Sequence, residues 1–233
     1  MSGPEDLPGQ LEQIARLEPV VTLLNEYQGV PVSYEALVQR VDTGTAQLAV
    51  HKYQAVCLSL EAETVLQSKL LSLALRARVA ALDVVTGAAT LADFTPTAYL
   101  VGRRQAIRLR PQPPVEVSVE NLRLNGRLIN LSVSGLGLHL PLPSGVAEPD
   151  FQMNPDLRIR LQLPTEGSPA ELAGRVAHSN FRNGAFILGI NLASDAQPRL
   201  ESYIAQRQAA VAQELESVYN QLCKRQLKER RKS

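Results

Sequence analysis

The 233-residue sequence has no tryptophan, only 4 Phe and 6 Tyr, and two cysteines. With so few rings it lacks a platform on which the bases of a single-stranded nucleic acid could stack. Cys57 and Cys223 form neither a disulfide framework nor a CxxC metal motif, which points to a reducing compartment and a cytoplasmic protein. The opening segment MSGPEDLPGQ is acidic, without the basic and apolar regions of a secretory signal. No charge-free apolar run approaches the roughly eighteen residues of a membrane helix, so no membrane span is expected. Neither sign of charge is in excess: Lys+Arg 24 against Asp+Glu 23 leaves a net charge of +1. That balance argues against a coat for nucleic acid or an anionic membrane, and against specific DNA binding. Any anion site must be local.

What is present is ample for a core: 45% hydrophobic and 20% charged residues over a length that suits one or two domains. Apolar residues Leu11, Ile14, Ala15, Leu17, Val20, Val21 and Leu24 recur at spacings near three and four, predicting a helix over 11–26, interrupted at Pro19. Short β-branched and leucine-rich runs follow at 30–37, 46–51, 55–60, 64–73, 75–85 and 88–94, separated by turn signals, and predict a β-rich module. A second set at 115–120, 126–132, 136–140, 157–163, 170–179 and 185–192 predicts a small antiparallel barrel. From 198 onward the pattern is helical. Ile204, Gln208, Val211, Leu215, Val218 and Leu222 fall on alternating d and a heptad positions, compatible with packing on the chain's own barrels, with a homodimer, or with a protein partner. The expected fold is mainly β: two small β-barrel or split-barrel domains in tandem, with a leading helix and a long C-terminal α-helix. The domains are 1–97, an N-terminal helix plus β-rich interaction module; 98–114, an arginine-bearing linker; 115–197, the second barrel; and 198–233, the helix with its basic tail.

Two segments carry chemistry. Arg103, Arg104, Arg108 and Arg110 crowd into eight residues with no intervening acid, inside a proline-punctuated linker. Guanidinium forks pair bidentately with phosphate or with the O6/N7 edge of guanine. Some twenty residues on, Asn130-Leu131-Ser132-Val133-Ser134-Gly135 supplies neutral hydrogen-bonding groups, with Gly135 permitting a tight turn and close backbone approach. Together they describe a small site for an anionic purine nucleotide. Bidentate arginine–guanine contacts worth about 1–3 kcal/mol each bring a micromolar affinity, about −8 kcal/mol, within reach. His51, His139 and His178 are scattered and share no ligand spacing with the cysteines, so no metal is expected. Cys57, in an apolar run, reads as a buried packing thiol. No nucleophilic or acid–base constellation is present, and no enzyme is expected.

At these residues the sequence resembles the PilZ family of bacterial cyclic di-GMP receptors. Arg104-Gln105-Ala106-Ile107-Arg108 meets the family's RxxxR pattern, with Arg103 as the frequent extra arginine, and Asn130–Gly135 meets D/NxSxxG. The resemblance covers about 98–195. It implies that Arg104 and Arg108 grip guanine edges and phosphates, that Arg103 adds charge or a stacking plane, and that Asn130, Ser132 and Gly135 hold the other side of a guanine. Gly137 and His139 border that site. Ala106 and Ile107 stand where an aromatic and a proline are common, and Asn130 where Asp is commoner, which lowers the expected affinity since a charged hydrogen bond is roughly twice as strong as a neutral one. The implied function is a cytosolic cyclic di-GMP effector whose two modules reorient on binding to regulate motility, surface attachment or exopolysaccharide output. The ligand is cyclic di-GMP, there is no further cofactor, and a protein partner meets the N-terminal module or the C-terminal helix. The alternative is a PilZ-type scaffold that binds no nucleotide and serves a motility, pilus or secretion machine. A third reading uses the basic tail after Leu222 as a DNA contact.

Overall fold

The computed structural model describes residues 7–97, 107–164, 168–194 and 197–232. They divide into two compact units. One takes in described residues 7–27, 31–97 and 210–232; the other takes in 28–30, 107–164, 168–194 and 197–209.

The first unit opens with helix α1, Leu7–Leu17, which buries Leu11 and Ile14. It stops well short of residue 26, because the residue before Pro19 is pushed out of helical geometry. Val20–Tyr27 forms strand β1 instead, with its central residues buried. The order continues β2 Val30–Asp42, β3 Thr45–Val50, helix α2 Lys52–Leu60, β4 Glu63–Gln67, β5 Ala74–Asp83 and β6 Ala88–Thr97. The strands close into a barrel in the order β1-β2-β3-β6-β5-β4. Leu23, Leu48, Leu66 and Leu91, all fully buried, fill it together with Ile14 from α1.

The run at 55–60 is helix α2, not a strand. Five consecutive residues, Gln54 to Leu58, are buried, so its sequence shows no helical period. Cys57 is nonetheless buried, as expected, and burial pushes its thiol pKa up to about 12. Asn25, Gln54, Thr64 and Glu61 form a polar cluster beside it, in which Asn25 donates to Glu61 and accepts from the Thr64 hydroxyl at 2.7 Å.

The second unit holds β7 Glu116–Val119, a 3-10 turn Glu120–Leu122, β8 Leu124–Ser132, β9 Gly135–Pro141, β10 Asp156–Leu161, β11 Ala170–Arg182 and β12 Ala185–Leu192. These close in the order β10-β11-β12-β9-β8-β7. Asn183 (φ 53°) and Gly184 (φ 73°) make the β11–β12 hairpin, an Asn-Gly pair suited to a turn needing two positive φ values. Val117, Val119, Leu131, Leu138, Leu140, Leu157, Ile159 and Leu188 point inward and are buried. Their alternation leaves the intervening side chains on the outer face.

Helix α3, Gln197–Arg230, begins in the second unit and continues into the first. Leu200, Tyr203 and Ile204 are buried in its first part, and Val211 and Leu215 in its second. Of the stripe read as heptad positions, Ile204, Val211 and Leu215 are thus covered by the chain itself, while Gln208, Val218 and Leu222 are half-buried. Among the described residues, no helix is long and apolar enough to cross a membrane.

Candidate ligand site on the second barrel

The arginine segment is tied to the barrel by a single antiparallel bridge. The Leu109 N–H donates to the Leu131 carbonyl at 2.8 Å, and the Leu131 N–H returns a bond of 2.8 Å to Leu109. Both side chains are buried, 1% and 0% exposed, so the pair also anchors the segment by its apolar contacts. Arg108 and Arg110 flank the bridge on the segment, and Asn130, half-buried, and Ser132, buried, flank it on β8. Arg108 is exposed. Arg103 and Arg104 lie outside the described residues.

Asn130 and Ser132 sit near the end of β8, and a register shift between Leu128 and Asn130 sets their facing. Asn130 pairs with Gly137 and Ser132 with Gly135. The Ser132 hydroxyl donates to the Gly135 carbonyl at 3.2 Å, closing the Val133-Ser134 turn. A Cβ on Gly135 would meet the Ile190 carbonyl oxygen at 2.6 Å, a backbone atom with little freedom to move. A Cβ on Gly137 would lie 2.9 Å from both terminal atoms of Asn130, whose amide therefore rests over the bare glycine. Gly137 thus positions Asn130, and His139, half-buried on β9, faces Arg127 and Ile187 one row further along.

The sheet register extends these pairs into rows on the outer face. One row runs Asn130, Gly137, Gly189, His178. The His178 ring lies over Gly189, where a Cβ would run into Nδ1, and a second register shift, between Val176 and His178, puts it there. The next row runs Ser132, Gly135, Asn191, Arg175, Asp156. Asn191, Arg175, Asp156 and His178 escaped the sequence reading. The one signal pointing toward them was isolated glycines inside strand patterns, Gly137 and Gly189, which mark close approach.

A separate polar and aromatic cluster lies in the first unit. Tyr34 stacks on His51 with centroids 4.0 Å apart, and Tyr53 meets both edge-on. Lys52 pairs with Glu216 of α3, and this hydrogen bond, the largest influence on each, raises the lysine pKa and lowers that of the carboxyl. Burial, then the Lys52 charge, lowers the His51 pKa against the opposing pull of Glu216. Among the described residues no group of three or more His, Cys, Asp or Glu side chains is placed to hold a metal.

The site is thus a barrel face with a guanidinium-bearing segment bridged to the strand that carries an Asn and a Ser, the arrangement of a small-ligand module for an anion with hydrogen-bonding edges. Residues 102–206 match the PilZ domain family. Among solved structures the chain is similar to YcgR from Escherichia coli in complex with cyclic di-GMP, at 13% identity over 93% of this chain and 95% of that one, TM-score 0.38. It is also similar to the MrkH–cyclic di-GMP complex from K. pneumonia (12% identity, 91% and 97%, TM-score 0.42) and to the Bacillus subtilis inhibitor of motility MotI/DgrA (15% identity, 82% and 97%, TM-score 0.35). No curated protein matches the sequence.

Proposed function

We propose that this protein is a non-enzymatic cytoplasmic receptor for cyclic di-GMP, binding at the junction of the 98–114 linker and the second barrel. The observation that carries the reading is the Leu109–Leu131 bridge, which puts Arg108 beside the strand of Asn130 and Ser132. Arg108, with Arg103 and Arg104 supplied by the motif, grips guanine edges and phosphates; Asn130, Ser132 and the Gly135 backbone take the other side of one guanine, with Gly137 and His139 at its border. Ligand binds the linker-engaged state more tightly than the open one and shifts that population, reorienting the two modules. The output is control of motility, surface attachment or exopolysaccharide production through a protein partner.

Calorimetric titration with cyclic di-GMP and, separately, GTP tests this. Micromolar binding of cyclic di-GMP alone is expected, and Arg104→Ala or Arg108→Ala should weaken it by about 5- to 150-fold, the equivalent of one bidentate guanine contact, with the melting temperature unchanged. Equal or absent heats for the two nucleotides overturn the receptor and leave the scaffold.

A further inference from the structure

The row that begins at Ser132 and Gly135 does not end there. Asn191 is the direct partner of Gly135, Arg175 of Asn191, and Asp156 of Arg175. At strand spacings near 4.8 Å, Arg175 stands about 10 Å across the sheet from Gly135. Here the outer face opens into a groove of about 660 Å³, floored by Ala173 and Ala193 and rimmed by Asn191, Arg175, Asp156 and Arg158. The floor is low because these outward positions carry only methyl groups.

The rim groups are available to a ligand. Arg175 Nε and Asp156 Oδ1 are 4.0 Å apart, and their side chains are 72% and 83% exposed. At that distance and exposure they are aligned side by side and held by little energy. The start of β10, ahead of its pairing with β7, is fixed independently: the Asn121 amide donates to the Asp156 carbonyl at 2.9 Å and accepts from the Arg158 N–H at 3.1 Å, mimicking a strand partner. The groove therefore has a fixed backbone and two exposed charged tips tied only to each other, by a long ion pair.

We infer that this groove is a second guanine subsite, reading the base that the Asn130–Gly135 segment does not hold. One continuous edge of guanine presents N7 and O6 as acceptors, then N1–H and N2–H2 as donors. Arg175 matches the first pair bidentately and Asp156 accepts from the second, so neighbouring groups of opposite charge meet neighbouring halves of one edge. Asn191 lies between the two subsites, where the sugar–phosphate ring crosses. Asp156 also supplies the carboxylate that the first subsite lacks at Asn130. An adenine edge, with its donor and acceptor reversed at position 6 and no 2-amino group, meets both tips wrongly.

This subsite rests on the receptor reading, and its test separates the two. Wild type, Arg108→Ala, Arg175→Ala, Arg175→Gln and Asp156→Ala are titrated with cyclic di-GMP and with cyclic di-IMP, which lacks the 2-amino groups. Arg175→Ala and Arg175→Gln, the latter keeping the aliphatic stem, should each weaken cyclic di-GMP about 5- to 150-fold. Asp156→Ala should narrow the preference for cyclic di-GMP over cyclic di-IMP, a readout that lost folding does not imitate. Wild type that binds, with Arg108→Ala impaired but Arg175 variants within twofold of wild type or the Asp156→Ala preference unchanged, overturns the subsite alone. Wild type that binds neither nucleotide overturns the receptor reading and the subsite with it.

Discussion

His51 shows how much one side chain can be asked to do. Its Nδ1 accepts the Tyr53 N–H at 3.2 Å, capping α2, while its ring stacks on Tyr34. The cap needs an unprotonated nitrogen, and burial together with neighbouring Lys52 favours that form, outweighing Glu216. The folded pKa lies below the ordinary value, so this contribution to stability is complete above about pH 6.5 and is lost as pH falls through that value and then through the folded one. Replacing His51 with Asn keeps a cap acceptor without a titrating group. Thermal melts between about pH 8 and 5 should show wild type losing more of its melting temperature than His51→Asn below about pH 6.5. Parallel losses in the two proteins would exclude His51 as the source.

At the scale of elements, the strands were readable wherever one face is buried and the other is not. β10 alternates without exception from Asp156 to Leu161, and its sequence alternates with it. Legibility failed where tertiary burial erased the period. Gln54 to Leu58 are buried all round, so a helix looked like an apolar strand; Val21 and Leu24 in β1 happened to match the spacing of the helix before them. The C-terminal helix was visible, but what covers its stripe was not, since heptad positions look alike whether they meet a second copy or the chain's own barrel. The structure places Glu216 on Lys52, the Gln226 side-chain oxygen Oε1 on the Val84 N–H at 3.0 Å, and Arg230 on Asp83. Leu215, next to the first of these contacts, is 2% exposed. Leu215→Ala should therefore lower stability by about 2–5 kcal/mol, read in denaturant melts, with no change of mass by light scattering. A dimer that dissociates without loss of protomer stability would show that the stripe serves self-association.

For the whole molecule, the site was half legible. The two motifs are local in sequence and stood out; the row from Gly135 through Asn191 and Arg175 to Asp156 joins strands distant in sequence, and only register reveals it. Net charge behaves the same way, hiding local anion chemistry behind +1. Two cations of the basic tail already have acidic partners, Arg230 with Asp83 and Arg225 with Glu229 at 3.1 Å, which weakens the tail as a DNA contact. A near-neutral molecule has no long-range field to steer a polyanion. Salt should then act only on the few exposed arginines of the site, while bidentate base contacts, made at hydrogen-bond range, persist. The expected affinity for cyclic di-GMP falls less than tenfold between about 50 and 200 mM salt, where a protein neutralising six to ten DNA phosphates loses about 10³- to 10⁵-fold. The preference over GTP should widen across the same range, because GTP, with more charge and a single guanine, depends more on the attraction that screening removes, while the contacts of the second guanine of cyclic di-GMP are spared. Titrations at the two salt concentrations decide it: a steep loss of affinity together with a collapsing preference would mean that charge, not base recognition, holds the ligand.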